Sequence, residues 1–227
     1  MDWDKPPPLV LEPDGPVRGA VIWLHGLGAD GRDFAPVMPE LGLLEAGLRV
    51  LLPHAPVQPV TLNGGLPMRA WYDIRLPDLE RAVDCAGIEA SVDYVRRLLA
   101  TQEADGLPAR NLVVGGFSQG GVIALHTGLR CPSLAGILAL SCYLPCRDGL
   151  PRCHPHCPPV FLAHGLEDPI VPYAAGESAA AWLRGQGIEV DWYHYPMGHG
   201  VVPDELAALR AWIARRILPR LERESKD

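Results

Sequence analysis

The feature that most constrains this chain is one serine at the seam between two apolar patterns. Leu112-Val113-Val114 runs into Gly115-Gly116-Phe117-Ser118-Gln119-Gly120-Gly121, and Val122-Ile123-Ala124-Leu125 follows. The β-branched run before the glycines reads as a buried strand, and the apolar residues after them have helical spacing. Gly116 and Gly120 stand two positions either side of Ser118. A very tight strand-to-helix turn strains the backbone of its central residue. It also brings the flanking positions so close that side chains there collide, so glycine suits both. The amides that open the helix point back at the serine, where negative charge developing on a reacting group is stabilised.

The rest of the chain repeats the alternation. Strand patterns occur at Leu9–Glu12, Gly19–Leu24, Leu48–Pro53, Gly136–Ser141, Pro159–His164 and Ile188–Tyr195. Helix patterns cover Asp33–Leu44 (interrupted near Pro36 and Pro39), Ile88–Leu99, Tyr173–Gly185 and a last stretch from Pro203. In that stretch Leu206, Leu209, Ile213 and Ile217 share a face. Strands alternating with helices predict an α/β fold, a mostly parallel central sheet with helices on both faces. The 227 residues suit one domain, 1–227, with about 1–8 and 222–227 expected to be flexible. Residues 54–79 show no period. A long irregular stretch in a compact domain is usually functional. Leu62, Met68, Trp71 and Tyr72 are read here as substrate-binding, with Ile74 and Leu76 as further apolar lining. The competing reading is that Trp71 and Tyr72 pin the stretch to the core, since clefts and cores share one composition.

Bulk properties exclude several functions. The formal net charge is -7, and no Lys/Arg run offsets it, so a nucleic acid is not the expected partner. No apolar run is long enough for a membrane span, and no basic-then-apolar leader is visible. With no leader, the six cysteines read as reduced thiols, and the expected location is cytoplasmic.

A serine hydroxyl needs a base in hydrogen-bond reach, and the base needs an acceptor to fix its tautomer. In folds that carry such an elbow the acid and then the histidine come later in the chain, on loops after strands. Asp168 and its neighbour Glu167 both follow the Val160–His164 strand. Pro169 holds Asp168 out of the helical region. Among His154, His156, His194 and His199, the last lies in a glycine-flanked loop between the final strand and the final helix. That is where a base belongs topologically. The oxyanion donors are then the amides of Gln119, directly after the serine, and of Leu27, in the glycine loop that follows the Gly19–Leu24 strand.

Four separated segments together resemble the phospholipase/carboxylesterase family of serine hydrolases. They are His25-Gly26-Leu27-Gly28-Ala29-Asp30, Gly116–Gly121, His164–Pro172 and Gly198-His199, and Arg69–Ile74 is similar to the family's substrate loop. The resemblance implies an α/β-hydrolase fold and a triad of Ser118, Asp168 and His199. It implies a substrate that is a carboxylic ester or thioester of short to medium acyl chain. Acyl-protein thioesterase and lysophospholipase activities occur among relatives, and many of them form homodimers. No cofactor or metal is implied. One region departs from the pattern: Cys146, Cys153, His154, His156 and Cys157 cluster after Leu144-Pro145. Their spacing fits no common zinc site. The cluster is read as a solvent-facing loop with reducible thiols.

Overall fold

The computed structural model describes Trp3 and residues 6–76, 82–151 and 157–222. Seven strands form one sheet: β1 (Leu9–Leu11), β2 (Gly19–Leu24), β3 (Leu48–Leu52), β6 (Leu112–Phe117), β7 (Gly136–Leu140), β8 (Val160–Gly165) and β9 (Val190–Tyr195). Their order is β1-β3-β2-β6-β7-β8-β9. β1 pairs antiparallel with β3, and every other pairing in this sheet is parallel. β6, which ends at Ser118, therefore lies mid-sheet. Its carboxyl end is flanked by those of β2 and β7.

The strand periodicity of two splits the core into layers. Ala20, Ile22 and Leu24 of β2 face one cluster, and Val21 and Trp23 face the other. The first cluster is covered by α1 (Cys85–Ala104), α2 (Gln119–Arg130) and α3 (Tyr173–Gly185). The second is covered by α4 (Pro203–Arg216) and α5 (Leu218–Glu222), together with Phe34, Met38 and Leu41. α2 is buried all round except at its last residue, as its continuous apolar sequence requires. Close packing explains the glycines on either side of Ser118. A Cβ on Gly120 would lie 2.1 Å from the Leu24 carbonyl oxygen, and one on Gly116 would lie 2.5 Å from the Gly120 backbone. α4 opens on Pro203 in its first turn, with Asp204 and Glu205 beside the positive end of the helix.

Three expectations are corrected. The helix expected over Asp33–Leu44 is a series of turns with a short 3-10 segment at Pro39–Leu41. Pro36 and Pro39 each lack the amide a helix needs and restrict the residue before them. The supposedly aperiodic 54–79 stretch contains an antiparallel hairpin, β4 (Val57–Val60) and β5 (Leu66–Arg69), in which Pro59 stands opposite Pro67. A proline in each strand hides the pattern, and this isolated two-stranded ribbon tolerates them because its outer edges need no ladder partner. The six thiols are not all reduced. Cys85 and Cys146 form a disulfide, Cys157 is disulfide-bonded as well, and Cys131 and Cys142 are free. A sulfur held in a disulfide is not a thiolate ligand, so Cys146 and Cys157 are unavailable to a metal. Cys153, His154 and His156 lie outside the described residues. Within the amino-terminal stretch expected to be flexible, Trp3 stacks on Tyr94 with ring centres 5.2 Å apart.

Candidate active site

Ser118 sits between β6 and α2 with φ 54° and ψ -120°, a left-handed conformation costly for a residue with a side chain. Its amide donates to the Leu140 carbonyl at 2.9 Å, which fixes the turn to the end of β7. The hydroxyl stands 3.0 Å from His199 Nε2, and His199 Nδ1 stands 2.7 Å from Asp168 Oδ2. A carboxylate only accepts, so Nδ1 carries the hydrogen and Nε2 is left to accept from Ser118. Asp168 Oδ1 accepts from the amides of Ile170 and Val171, each at 2.9 Å. Its carboxylate is therefore held by the loop that follows β8. Glu167, the adjacent alternative, is exposed, and its amide donates to the Met197 carbonyl.

His164 lies 3.5 Å from Asp168 Oδ2 but donates Nε2–H to the Val171 carbonyl at 2.8 Å. Burial holds its pKa below the ordinary value, so it stays neutral and does not compete for the carboxylate. His194 is exposed on β9, and His126 is buried with Nε2 on the Pro145 carbonyl.

The glycine loop after β2 is pinned on several sides. Gly28 takes a left-handed φ of 77° and donates to the Arg69 carbonyl at 2.8 Å. Gly31 donates to His54 Nδ1. His25 Nδ1 donates to the Gly26 carbonyl at 2.7 Å, while its Nε2 accepts from the Ala55 amide at 3.0 Å. That dual role requires neutral imidazole, and burial pushes the His25 pKa down to about 4. Leu27 and Gln119 both line the cleft beside Ser118. No protein acceptor takes either amide among the described residues. Two free N–H groups beside a nucleophile meet the requirement for binding an oxyanion.

The cleft has a volume of about 310 Å³, and Tyr72, Ile74, Tyr143, Ile170 and Val171 form its apolar wall. Of the residues expected to bind substrate, Tyr72 lines it. Trp71 does not: it is fully buried, and its Nε1 donates to the His25 carbonyl at 2.8 Å. Leu62 and Met68 are also absent from the lining, as is Leu76. Leu62 is exposed at the hairpin tip, and Met68 Sδ contacts Asn63 Nδ2. Adjacent aromatics thus divide the work, Trp71 anchoring and Tyr72 facing the cleft. Sequence reasoning missed the Gln119 side chain. Its Oε1 accepts from the Trp71 amide at 2.9 Å and its Nε2 donates to the Tyr72 carbonyl at 2.8 Å, tying the substrate loop to the nucleophile's own helix. The sequence holds no local signal for it, since both partners lie far away in the chain. A larger depression of about 590 Å³ lies by Arg96, Arg97 and Cys131, where β6 begins. Its lining contains no histidine.

Fold and site together define a hydrolase of the α/β-hydrolase class. Residues 6–217 match the phospholipase/carboxylesterase family, and the chain belongs to that family. It is 38% identical to acyl-protein thioesterase 1 of Mycosarcoma maydis, over 92% of this chain and 96% of that one. It is 36% identical to acyl-protein thioesterase 1 of Gibberella zeae, over 94% and 97%. The crystal structure of Zea mays acyl-protein thioesterase 2 superposes with a TM-score of 0.82 at 30% identity, covering 92% of this chain and 98% of that chain.

Proposed function

We propose that this enzyme cleaves carboxylic esters and thioesters of short to medium acyl chains through an acyl-enzyme on Ser118. The observation that carries the proposal is the hydrogen-bonded series Ser118–His199–Asp168, at 3.0 and 2.7 Å, opening on an apolar cleft. Ser118 Oγ attacks the acyl carbon while His199 Nε2 takes its proton. Asp168 holds the ring in the required tautomer and stabilises the imidazolium. The Leu27 and Gln119 amides receive the oxyanion. His199 returns the proton to the leaving oxygen or sulfur, the carbon–heteroatom bond breaks, and the leaving group departs. Water then repeats the sequence on the acyl-enzyme and releases the acid. A cleft of about 310 Å³ is at the small end of ligand pockets, which supports short to medium chains.

The thioesterase relatives support thioesters, including acyl-proteins, within the same mechanism. A lysophospholipid is the remaining ester reading. A panel of p-nitrophenyl esters of graded length, run beside an acyl thioester, ranks these substrates. Ser118→Ala should lose activity by about 10⁴-fold or more while melting at the wild-type temperature. A fluorophosphonate probe should label wild type at Ser118 alone. Near-normal turnover by the variant overturns Ser118 as the nucleophile, and a wild type that is neither labelled nor active is a non-catalytic binding protein.

The cytoplasmic expectation came from the lack of a visible leader and carried with it reduced cysteines, and the Cys85–Cys146 disulfide runs against the second part. Alkylation of the protein at cell lysis decides the compartment. A cytoplasmic enzyme shows every cysteine modified, and an oxidised one shows Cys85, Cys146 and Cys157 protected.

A further inference from the structure

Two clefts meet at His199. The first carries Ser118, the two oxyanion amides and the apolar wall described above. The second, of about 230 Å³, is lined by Asp33, Phe34, Phe117, His199 and Val201 among others, and Ser118 is not among them. Asp33, Phe117 and His199 line both. The two halves of a substrate divide accordingly. The acyl carbon must bond to Ser118 with its oxygen on the Leu27 and Gln119 amides, so the acyl chain takes the first cleft. The leaving atom must receive its proton from His199 Nε2, so the leaving group departs along the His199 edge, into the second.

The second cleft has a definite chemistry. Asp33 is its one acidic side chain, and the lining contains no lysine or arginine. Asp33 is exposed. The neighbouring Arg32 is drawn instead to Asp30, at 3.5 Å. Two phenyl rings complete the cleft: Phe34 and Phe117 lie with centres 5.7 Å apart and planes inclined at 41°. A carboxylate beside aromatic rings is a receptor for an organic cation, because the ring faces and the anion both attract positive charge. The overall charge of -7 adds a long-range pull of the same sign.

We propose that this cleft is a leaving-group subsite selecting alcohols and thiols that carry a positive charge a few bonds from the leaving atom. Quaternary ammonium alcohols and cysteine thiols flanked by basic residues are the matching class, and phosphate-bearing carrier thiols are disfavoured. The assignment rests on the hydrolase reading above.

The test compares S-butyrylthiocholine with S-(3,3-dimethylbutyl) thiobutyrate. The second compound replaces the ammonium nitrogen by carbon and leaves shape and acyl group unchanged. Released thiol gives kcat/KM for each. The charged thioester is expected to be preferred by roughly five-fold or more at low ionic strength, the worth of one charge pair in a wet site. The preference should shrink in high salt, and Asp33→Asn should bring the ratio close to one. A wild-type ratio of one or less, or an unchanged ratio in Asp33→Asn, overturns the subsite. If neither thioester is cleaved, the hydrolase reading itself fails and the subsite with it.

Discussion

In the proposed mechanism Ser118 is a weak nucleophile made competent by a ring nitrogen 3.0 Å away, and that nitrogen is available only because Asp168 occupies the other one. Asp168→Asn isolates this dependence. The asparagine oxygen can still accept from the Ile170 and Val171 amides, which leaves its NH₂ facing His199 Nδ1. Nδ1 must then accept, Nε2 carries the hydrogen, and Ser118 loses its base. The expected result is a fall in kcat of about 10⁴-fold with little change in KM, measured on a p-nitrophenyl ester. The sequence made these three residues legible through the elbow frame and the order of loops after strands. It did not make the Gln119 side chain legible, because its two partners lie 47 or more positions away.

At the scale of elements, the elbow works because α2 lies against the end of β2. Gly120 permits that approach, and no other residue fits: its added Cβ would meet the Leu24 and His25 backbone. Gly120→Ala is expected to cost about 3 kcal/mol by urea unfolding and to displace the oxyanion loop that follows Leu24. A wild-type unfolding curve would show that the helix can shift without consequence. The strands of the central sheet were readable because buried parallel strands are continuous apolar runs. The β4–β5 hairpin was not readable, since prolines in both strands mimic a loop. The helix expected from Asp33 failed for the converse reason: its apolar spacing is right, but two prolines leave the backbone bonds unmade.

Titration couples the whole molecule to pH. Burial holds His25 and His126 down to about 4, against an ordinary 6.5 in the unfolded chain. Their neutral forms favour the fold. That stability is complete above pH 6.5 and is lost as pH falls towards 4, by roughly 3 kcal/mol for each histidine. Glu205 behaves oppositely. Burial raises its pKa to about 8, against a smaller lowering pull from the Val202 backbone. Its contribution is greatest below pH 4.5 and is lost as pH rises through 8. Melting temperature against pH should therefore fall on both sides of about pH 6.5, and Glu205→Gln should flatten the alkaline limb and steepen the acid one, where Glu205 partly offsets the histidines. The Cys85–Cys146 bond closes a loop across a sequence separation of 61, so a reductant should lower stability by about 2–4 kcal/mol. An identical melting temperature with and without reductant would show that the bond does not constrain the unfolded chain.

Local chemistry, read along one dimension, dictated the α/β alternation, the elbow at Ser118 and the succession of acid and base loops. Each of these is written in residues adjacent to one another. What faces what was settled by packing. Trp71 and Tyr72 are neighbours of one kind, yet one is sealed beneath the glycine loop and the other borders the cleft. Cys85 finds Cys146, and Asp33 finds the edge of His199, only when the sheet has assembled. Apolar side chains carry the same signature in a core and in a cleft wall. The physical difference between the two is which atoms lie across from them, and that is a property of the folded chain.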